Sequence, residues 1–195
     1  MMKLHLVRHG KTEANEKGLY CGQTDLPLSV GGETEIALYK NQGVYPPLPD
    51  LFFTSGLVRA NQTMELIYGP VRRKTVPGIA EYDFGLFEML GYEELKNRAD
   101  FQAWASDKTG AVPCPGGESR NEFEERVITG YRHIVDELHL HGKNSAFVVC
   151  HGGSIARIME HLKPNTRDYY GWQPAQGRGY TLSFANGQLH ELSDL

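Results

Sequence analysis

The sequence predicts a three-layer α/β/α sandwich whose central sheet is mostly parallel. Three short apolar runs carry this prediction, at residues 4–7, 51–53 and 146–150. They are near-continuous rather than alternating, which is typical of parallel strands covered by helices on both faces. Helical patterns lie between these runs, as expected for an alternating α/β chain.

Helical periodicity appears in the segments 32–42, 58–68 and about 119–138, and a further helix is expected to begin near Ser154. The third segment is the clearest, because its apolar residues recur every three or four positions and form one stripe. Ser119 and Glu122 fit a capping box at its start. The stripe consists of Phe123, Val127, Tyr131, Ile134 and Leu138.

Near the C-terminus, residues 180–184 and 188–192 flank the dipeptide Asn186-Gly187. Asn-Gly between two strands is a strong hairpin signal, because both turn residues adopt positive φ. We therefore expect a hairpin that forms an antiparallel edge of the sheet.

Residues 82–115 interrupt the α/β alternation with many aromatic residues, followed by Pro113 and Pro115. We interpret this stretch as an inserted helical lobe over the carboxyl edge of the sheet, where it would help to select a substrate. The length of 195 residues fits a single domain, 1–195, that includes this lobe.

The composition narrows the classes of partner. The net charge is −4, so the surface gives no general reason to bind nucleic acid or an anionic membrane. No apolar run approaches the ~18 residues of a membrane span, and the N-terminal apolar run is too short for a signal peptide. We expect a soluble, cytoplasmic protein.

The three cysteines, Cys21, Cys114 and Cys150, are odd in number and widely spaced. This spacing argues against a disulfide framework and against a cysteine-rich metal site. Cys150 directly precedes a histidine, but we interpret it as a buried residue that ends a strand rather than as a nucleophile.

Two His-Gly motifs carry the chemistry. Arg8-His9-Gly10 follows the first apolar run, and His151-Gly152-Gly153 follows the last. In a parallel sheet both would lie at the carboxyl edge, where ligands bind. Neutral imidazole is a competent nucleophile near pH 7, and arginine binds phosphate oxygens with two hydrogen bonds. Transfer of a phosphoryl group is the chemistry these residues suggest.

Six blocks in the same order make the chain resemble the histidine phosphatase superfamily, in its phosphoglycerate-mutase-like branch. They span nearly the full length and occupy residues 6–15, 25–32, 55–63, 81–85, 115–119 and 151–153.

The resemblance implies a role for each matching residue. His9 would be the nucleophile, and Glu81 would protonate the leaving oxygen and then help to activate water. No metal and no cofactor would be needed. The phosphoryl group would be held by Arg8, Arg59 and His151, with Asn15 at the rim. Two alternatives remain open from the residues themselves: Asn15 could cap local backbone, and Glu88 is a second carboxylate near Glu81.

The chain departs from many relatives at two places. Lys11 stands where an acidic residue is common, and Glu88-Met89 stands where Glu-Gly is common. The second departure resembles the α-ribazole phosphatases of cobamide synthesis, which act on a phosphorylated riboside with an aromatic base. The lobe aromatics would either stack on such a base or form the core of the lobe itself; these are Phe84, Phe87, Tyr92 and Trp104.

The function we expect is hydrolysis of a small phosphate monoester, with α-ribazole 5′-phosphate as the favoured substrate. One alternative is a broad-specificity sugar-phosphate phosphatase. Another is a cofactor-dependent phosphoglycerate mutase, whose relatives are usually longer and close the site with a tail. A non-catalytic binding module is disfavoured, because His9, Arg59, Glu81 and His151 are all present. The expected partner is a small-molecule phosphate ester, and homodimer formation is left open.

Overall fold

The computed structural model describes residues 1–195 and contains one six-stranded sheet. The strand order across the sheet is β3-β2-β4-β1-β5-β6. Pairing is parallel from β3 to β1 and antiparallel from β1 through β5 to β6. In chain order the strands are β1 (Met2–Arg8), β2 (Leu51–Thr54), β3 (Lys74–Thr75), β4 (Ser145–Cys150), β5 (Gly179–Ala185) and β6 (Gln188–Asp194).

Seven α-helices connect the strands. Two short 3₁₀ turns, Pro77–Ile79 and Gly85–Phe87, lie between β3 and the fourth helix. The helices are α1 (Glu13–Lys17), α2 (Val30–Asn41), α3 (Val58–Tyr68), α4 (Tyr92–Leu95), α5 (Ala99–Ser106), α6 (Arg120–Leu140) and α7 (Gly152–Leu162). None of them combines the length and the apolar character needed to cross a membrane.

The central strands are covered on both faces, which confirms the predicted three-layer sandwich. On one face, Phe147 and Val149 of β4 pack with residues of α2 and α3. On the other face, Ala146 and Val148 of the same strand join a larger core that includes residues of α6 and α7. The alternation along β4 places successive side chains on opposite faces, and every residue of 146–150 is buried.

The predicted elements form with small shifts at their ends. The helix predicted at 58–68 has these bounds, and α6 begins after a capping box between Ser119 and Glu122. Asn186 and Gly187 have φ values of 51° and 77°, so the hairpin turn uses the two positive φ angles expected of Asn-Gly. Strand β3 was not predicted, because two residues are too few to show a pattern.

The segment 82–115 contains a 3₁₀ turn and the short helices α4 and α5. Its aromatic rings mostly pack on one another: Phe87 is fully buried and meets Phe101 and Trp104 at 5.4 and 5.9 Å between ring centroids. Phe87 therefore belongs to the core of the segment and is not available to stack on a ligand. Tyr92, in contrast, is 60% exposed.

The three cysteines carry no disulfide. Cys150 is fully buried at the end of β4, and burial raises the pKa of its thiol to about 12. A thiol that stays protonated is a poor nucleophile, which agrees with the structural role predicted for this residue.

Candidate active site

The carboxyl ends of β1, β4 and β2 bring the predicted site residues to one edge of the sheet. Arg8 pairs in register with Cys150, so His9 and His151, the residues that directly follow the two strands, emerge side by side. Their ring centroids are 5.0 Å apart. The two His-Gly motifs, 142 positions apart in the sequence, thus form one pocket as predicted.

The hydrogen bonds of His9 place its lone pair on Nε2. Its Nδ1 lies 2.6 Å from the carbonyl oxygen of Gly10, and a carbonyl only accepts hydrogen bonds, so Nδ1 carries the proton and Nε2 carries the lone pair. Burial, followed by the charges of Arg59 and Arg8, holds the pKa of His9 well below its usual value. The imidazole is therefore neutral at physiological pH, as a nitrogen nucleophile must be.

Arg59 lies against His9 at the first turn of α3 and is almost fully buried. Its Nε donates to Nε2 of His9 at 3.3 Å. Nη1 donates to the carbonyl oxygen of Thr24 at 2.9 Å, and Nη2 donates to that of Gly22 at 2.6 Å. Each Nη has a second hydrogen, so the guanidinium is fixed by the protein and still able to bind an anion.

Glu88 supports Arg59 indirectly, through the loop that carries Gly22 and Thr24. One carboxylate oxygen accepts from the backbone N–H groups of Gly22, Gln23 and Phe84, all at 3.0 to 3.2 Å. The other accepts from the N–H and the hydroxyl of Thr24. The second carboxylate noted in the sequence therefore organises the loop whose carbonyl groups hold Arg59.

His151 and Arg8 each present a nitrogen without a protein partner. Nε2 of His151 lies 2.8 Å from the hydroxyl of Ser55, whereas its buried Nδ1 has no hydrogen bond. Nη1 of Arg8 donates to the carbonyl oxygen of Pro174 at 2.9 Å, and its buried Nε is unpartnered. Buried polar nitrogens are rarely left without partners, so both are suited to bind a ligand's oxygen atoms.

Glu81 stands at the N-terminus of α7. Its Oε2 accepts from the N–H of Gly153 at 3.0 Å, and its Oε1 accepts from the N–H of Tyr82 at 3.0 Å. Gly153 permits this approach, because a Cβ there would lie 2.3 Å from Oε1 of Glu81 and 2.4 Å from the hydroxyl of Tyr169. The carboxyl is thus held by two backbone donors and has lone pairs to spare.

Asn15 acts in local capping. Its Oδ1 accepts from the N–H and the hydroxyl of Thr12 in the capping box that begins α1, which is the alternative left open above. A role at the rim of the pocket remains a prediction for this residue. Lys11 forms an ion pair with Glu35 at 3.2 Å, so much of the charge that it was expected to add is neutralised locally.

The arrangement suits a doubly charged oxyanion. Two arginines supply the positive charge, and two neutral histidines supply a nucleophile and a further donor. The pKa of His151 is also held well below its usual value, by burial and then by Arg59. When His151 is neutral and its Nε2 accepts a hydrogen bond from the hydroxyl of Ser55, the single ring proton lies on Nδ1, the nitrogen that is free to bind an anion. No three His, Cys, Asp or Glu side chains are grouped as a metal site.

The sequence did not reveal the loop carbonyl groups that hold Arg59, the hydroxyl of Ser55 or the phenol of Tyr169. The contacts between the 22–24 loop and Glu88 join residues more than 60 positions apart. Tyr169 lies in the irregular segment between α7 and β5, which has no periodic pattern. Only the spatial arrangement identifies these groups.

The fold and the site together define an α/β protein with a cationic pocket built around a neutral, oriented histidine. Residues 4–190 match the histidine phosphatase superfamily (branch 1). The chain belongs to this superfamily, as the ordered motifs indicated.

Relatives within the superfamily are named for two different activities. The chain is 34% identical over 168 residues to a 2,3-bisphosphoglycerate-dependent phosphoglycerate mutase of Cytophaga hutchinsonii, covering 82% of this chain and 76% of the mutase. It is 30% identical over 167 residues to the adenosylcobalamin/alpha-ribazole phosphatase of Escherichia coli K12, covering 83% and 79%. The crystal structure of the alpha-ribazole phosphatase from Shigella flexneri superposes with a TM-score of 0.82 at 26% identity, covering 96% of this chain and 93% of that one.

Proposed function

We propose that the protein is a metal-independent phosphatase that hydrolyses a small phosphate monoester through a phosphohistidine at His9. The observation that carries this proposal is the orientation of His9: its Nδ1 is bound to Gly10, and its Nε2 faces the guanidinium of Arg59. This geometry suits a nucleophile that attacks a bound phosphoryl group.

The reaction would proceed in two steps. Nε2 of His9 forms a bond to phosphorus while the bond to the ester oxygen breaks, and Glu81 gives its proton to that oxygen. A water molecule then attacks the phosphohistidine, its proton passes to Glu81, and the bond between phosphorus and nitrogen breaks. Arg8, Arg59 and His151 stabilise the charge on the three remaining oxygens in both steps.

We further propose α-ribazole 5′-phosphate as the substrate. The phosphatase relatives named above support this assignment, and so does the Glu88-Met89 pair. Met89 has a φ of 61°, a conformation that costs a residue with a Cβ roughly 1–2 kcal/mol. A glycine would avoid that cost, so the side chain at this position distinguishes the chain from relatives with Glu-Gly.

Phosphoglycerate mutase activity is the second candidate, favoured by the identity of 34% to a protein of that name. The two reactions share the first step and differ in what accepts the phosphoryl group, water or a phosphoglycerate. A direct comparison of the two acceptors separates them.

The test is phosphate release by the purified protein in EDTA. The substrates are α-ribazole 5′-phosphate, 3-phosphoglycerate, common sugar phosphates and p-nitrophenyl phosphate, and mutase activity is measured with 2,3-bisphosphoglycerate present. We expect kcat/KM to be highest for α-ribazole 5′-phosphate. A flat profile would refute that substrate, and mutase turnover above hydrolysis would refute the phosphatase function.

The covalent step has its own control. His9→Ala should abolish turnover and leave the circular dichroism spectrum unchanged, and the wild-type protein should yield an alkali-stable, acid-labile phosphoenzyme on rapid quenching. Substantial turnover by the variant would refute the phosphohistidine mechanism.

A further inference from the structure

Tyr169 brings a phenol to the acid side of the pocket. Its hydroxyl and Oε1 of Glu81 crowd the same face of Gly153, each within 2.4 Å of the point that a Cβ would occupy. The two oxygens are nevertheless not hydrogen bonded to each other, and the hydroxyl has no hydrogen-bond partner in the protein. The two oxygens are at most 4.7 Å apart, so both can bind a single further oxygen atom.

The ring of Tyr169 is held by a charged residue of α7, Arg157. The guanidinium of Arg157 lies over the ring at 4.5 Å from its centroid, a favourable cation–π contact. Arg157 is itself fixed by Glu160 at 2.8 Å and by Glu124 at 3.8 Å. Contacts outside the pocket thus orient the phenol before any ligand binds, as expected of a preorganised group.

We propose that Tyr169 is a further catalytic residue, whose hydroxyl and Glu81 together bind first the leaving oxygen of the ester and then the hydrolytic water. This inference rests on the proposed phosphatase function. In the first step the hydroxyl donates a hydrogen bond to the ester oxygen while Glu81 transfers its proton to that oxygen. In the second step it donates to the water oxygen while Glu81 takes the water's proton.

The protonation state of the phenol agrees with this role. Burial, followed by the charge of Glu81, raises the pKa of Tyr169 well above its usual value. The hydroxyl therefore keeps its proton throughout the cycle and acts only as a hydrogen-bond donor. Glu81 alone exchanges a proton with the substrate and with water, so both steps balance without any other group.

The test is Tyr169→Phe, which removes one oxygen atom and preserves the ring beneath Arg157. Its matched control is Tyr170→Phe, because Tyr170 is the next residue, is 78% exposed and packs against Tyr169 with 5.3 Å between centroids. Each variant is assayed with an alkyl phosphate, whose leaving alkoxide needs stabilisation, and with p-nitrophenyl phosphate, whose leaving anion needs little.

We expect Tyr169→Phe to lower kcat/KM for the alkyl ester by about 10- to 100-fold, the range for a hydrogen bond to a charged or developing charged group. For p-nitrophenyl phosphate we expect kcat/KM to change little, and a burst of p-nitrophenolate to precede a slower steady state, because water attack is impaired. Tyr170→Phe should match the wild-type protein with both substrates.

Equal losses of kcat/KM with the two esters would assign Tyr169 a packing role and overturn the inference, as would wild-type kinetics in Tyr169→Phe. Either result leaves the phosphatase function intact. Failure of the wild-type protein to hydrolyse any phosphate ester would instead refute the proposed function, and the inference with it.

Discussion

Gly153 is the position at which a single added methyl group tests the roles proposed for Glu81 and Tyr169. An alanine Cβ there would lie 2.3 Å from Oε1 of Glu81 and 2.4 Å from the hydroxyl of Tyr169, whereas ordinary contact begins at 3.4 Å. Both oxygens must therefore retreat by about 1 Å, and a displacement of this size at a reacting group costs on the order of 100-fold in rate.

The fold should tolerate the same change. Gly153 is the second residue of α7 and has no positive φ, so alanine gains roughly 0.5–1 kcal/mol of helix stability. That gain offsets much of the cost of the hydrogen bond between Gly153 and Glu81, about 1 kcal/mol. We expect Gly153→Ala to keep its melting temperature within a few degrees of wild type and to lose about 100-fold in kcat/KM for an alkyl phosphate.

Gly31→Ala is the matched control. Gly31 is also the second residue of its helix, α2, and the atom nearest to the added methyl group would be the flexible end of Glu16, at 3.2 Å. The control should be stabilised slightly and fully active in phosphate release. The reasoning fails if Gly153→Ala is folded and as active as Gly31→Ala with the alkyl ester.

The remaining predictions concern charge. The lowered pKa of His9 places the acid limb of the kcat/KM profile well below pH 6.5, and an acid limb at the ordinary histidine pKa would contradict this assignment. Glu88→Gln turns an amide towards backbone N–H groups and should cost about 2–4 kcal/mol of stability, with at least a 10-fold loss of kcat/KM. The control is Glu93→Gln at an exposed position, which should change neither the free energy of unfolding in denaturant nor turnover. The pKa of His5 is lowered to about 4 by burial and by Lys3. The unfolded chain therefore binds this proton at higher pH than the folded protein. Stability is lost as the pH falls from about 6.5 towards 4, by at most about 3 kcal/mol; His5→Gln should flatten this part of the urea-unfolding profile, and an unchanged slope would refute the assignment.

Much of the architecture could be predicted because it follows from local patterns. The buried strands are continuous apolar runs, α6 has a capping box and one apolar stripe, and the hairpin turn is an Asn-Gly pair. Each signal lies within about twenty residues and reflects backbone preferences that tertiary contacts reinforce. The main element that escaped prediction, β3, is two residues long.

The candidate site, too, could be predicted only in the part that follows from regular structure. His9 and His151 could be placed together because parallel strands end at a common edge. The supporting groups could not be placed, because their contacts depend on the course of irregular loops. From the sequence, Glu88 could be recognised only as a second carboxylate. Its role in organising the loop depends on five hydrogen-bond donors that lie on two separate loops.

The roles of the aromatic residues in segment 82–115 could not be predicted from composition alone. Their composition fits both a ligand-stacking surface and a packed core, and only burial distinguishes the two. Phe87 lies in the core with no exposed surface, whereas Tyr92 remains open to solvent.

The place of β1 within the sheet has a consequence for biosynthesis. Its hydrogen-bonded neighbours are β4 and β5, which leave the ribosome more than 130 residues after it. Contacts this distant in sequence form slowly, so the nascent chain cannot complete the pocket until β4 and His151 have been made. His9 is therefore brought next to His151 only after the long intervening segment is available to enclose both residues.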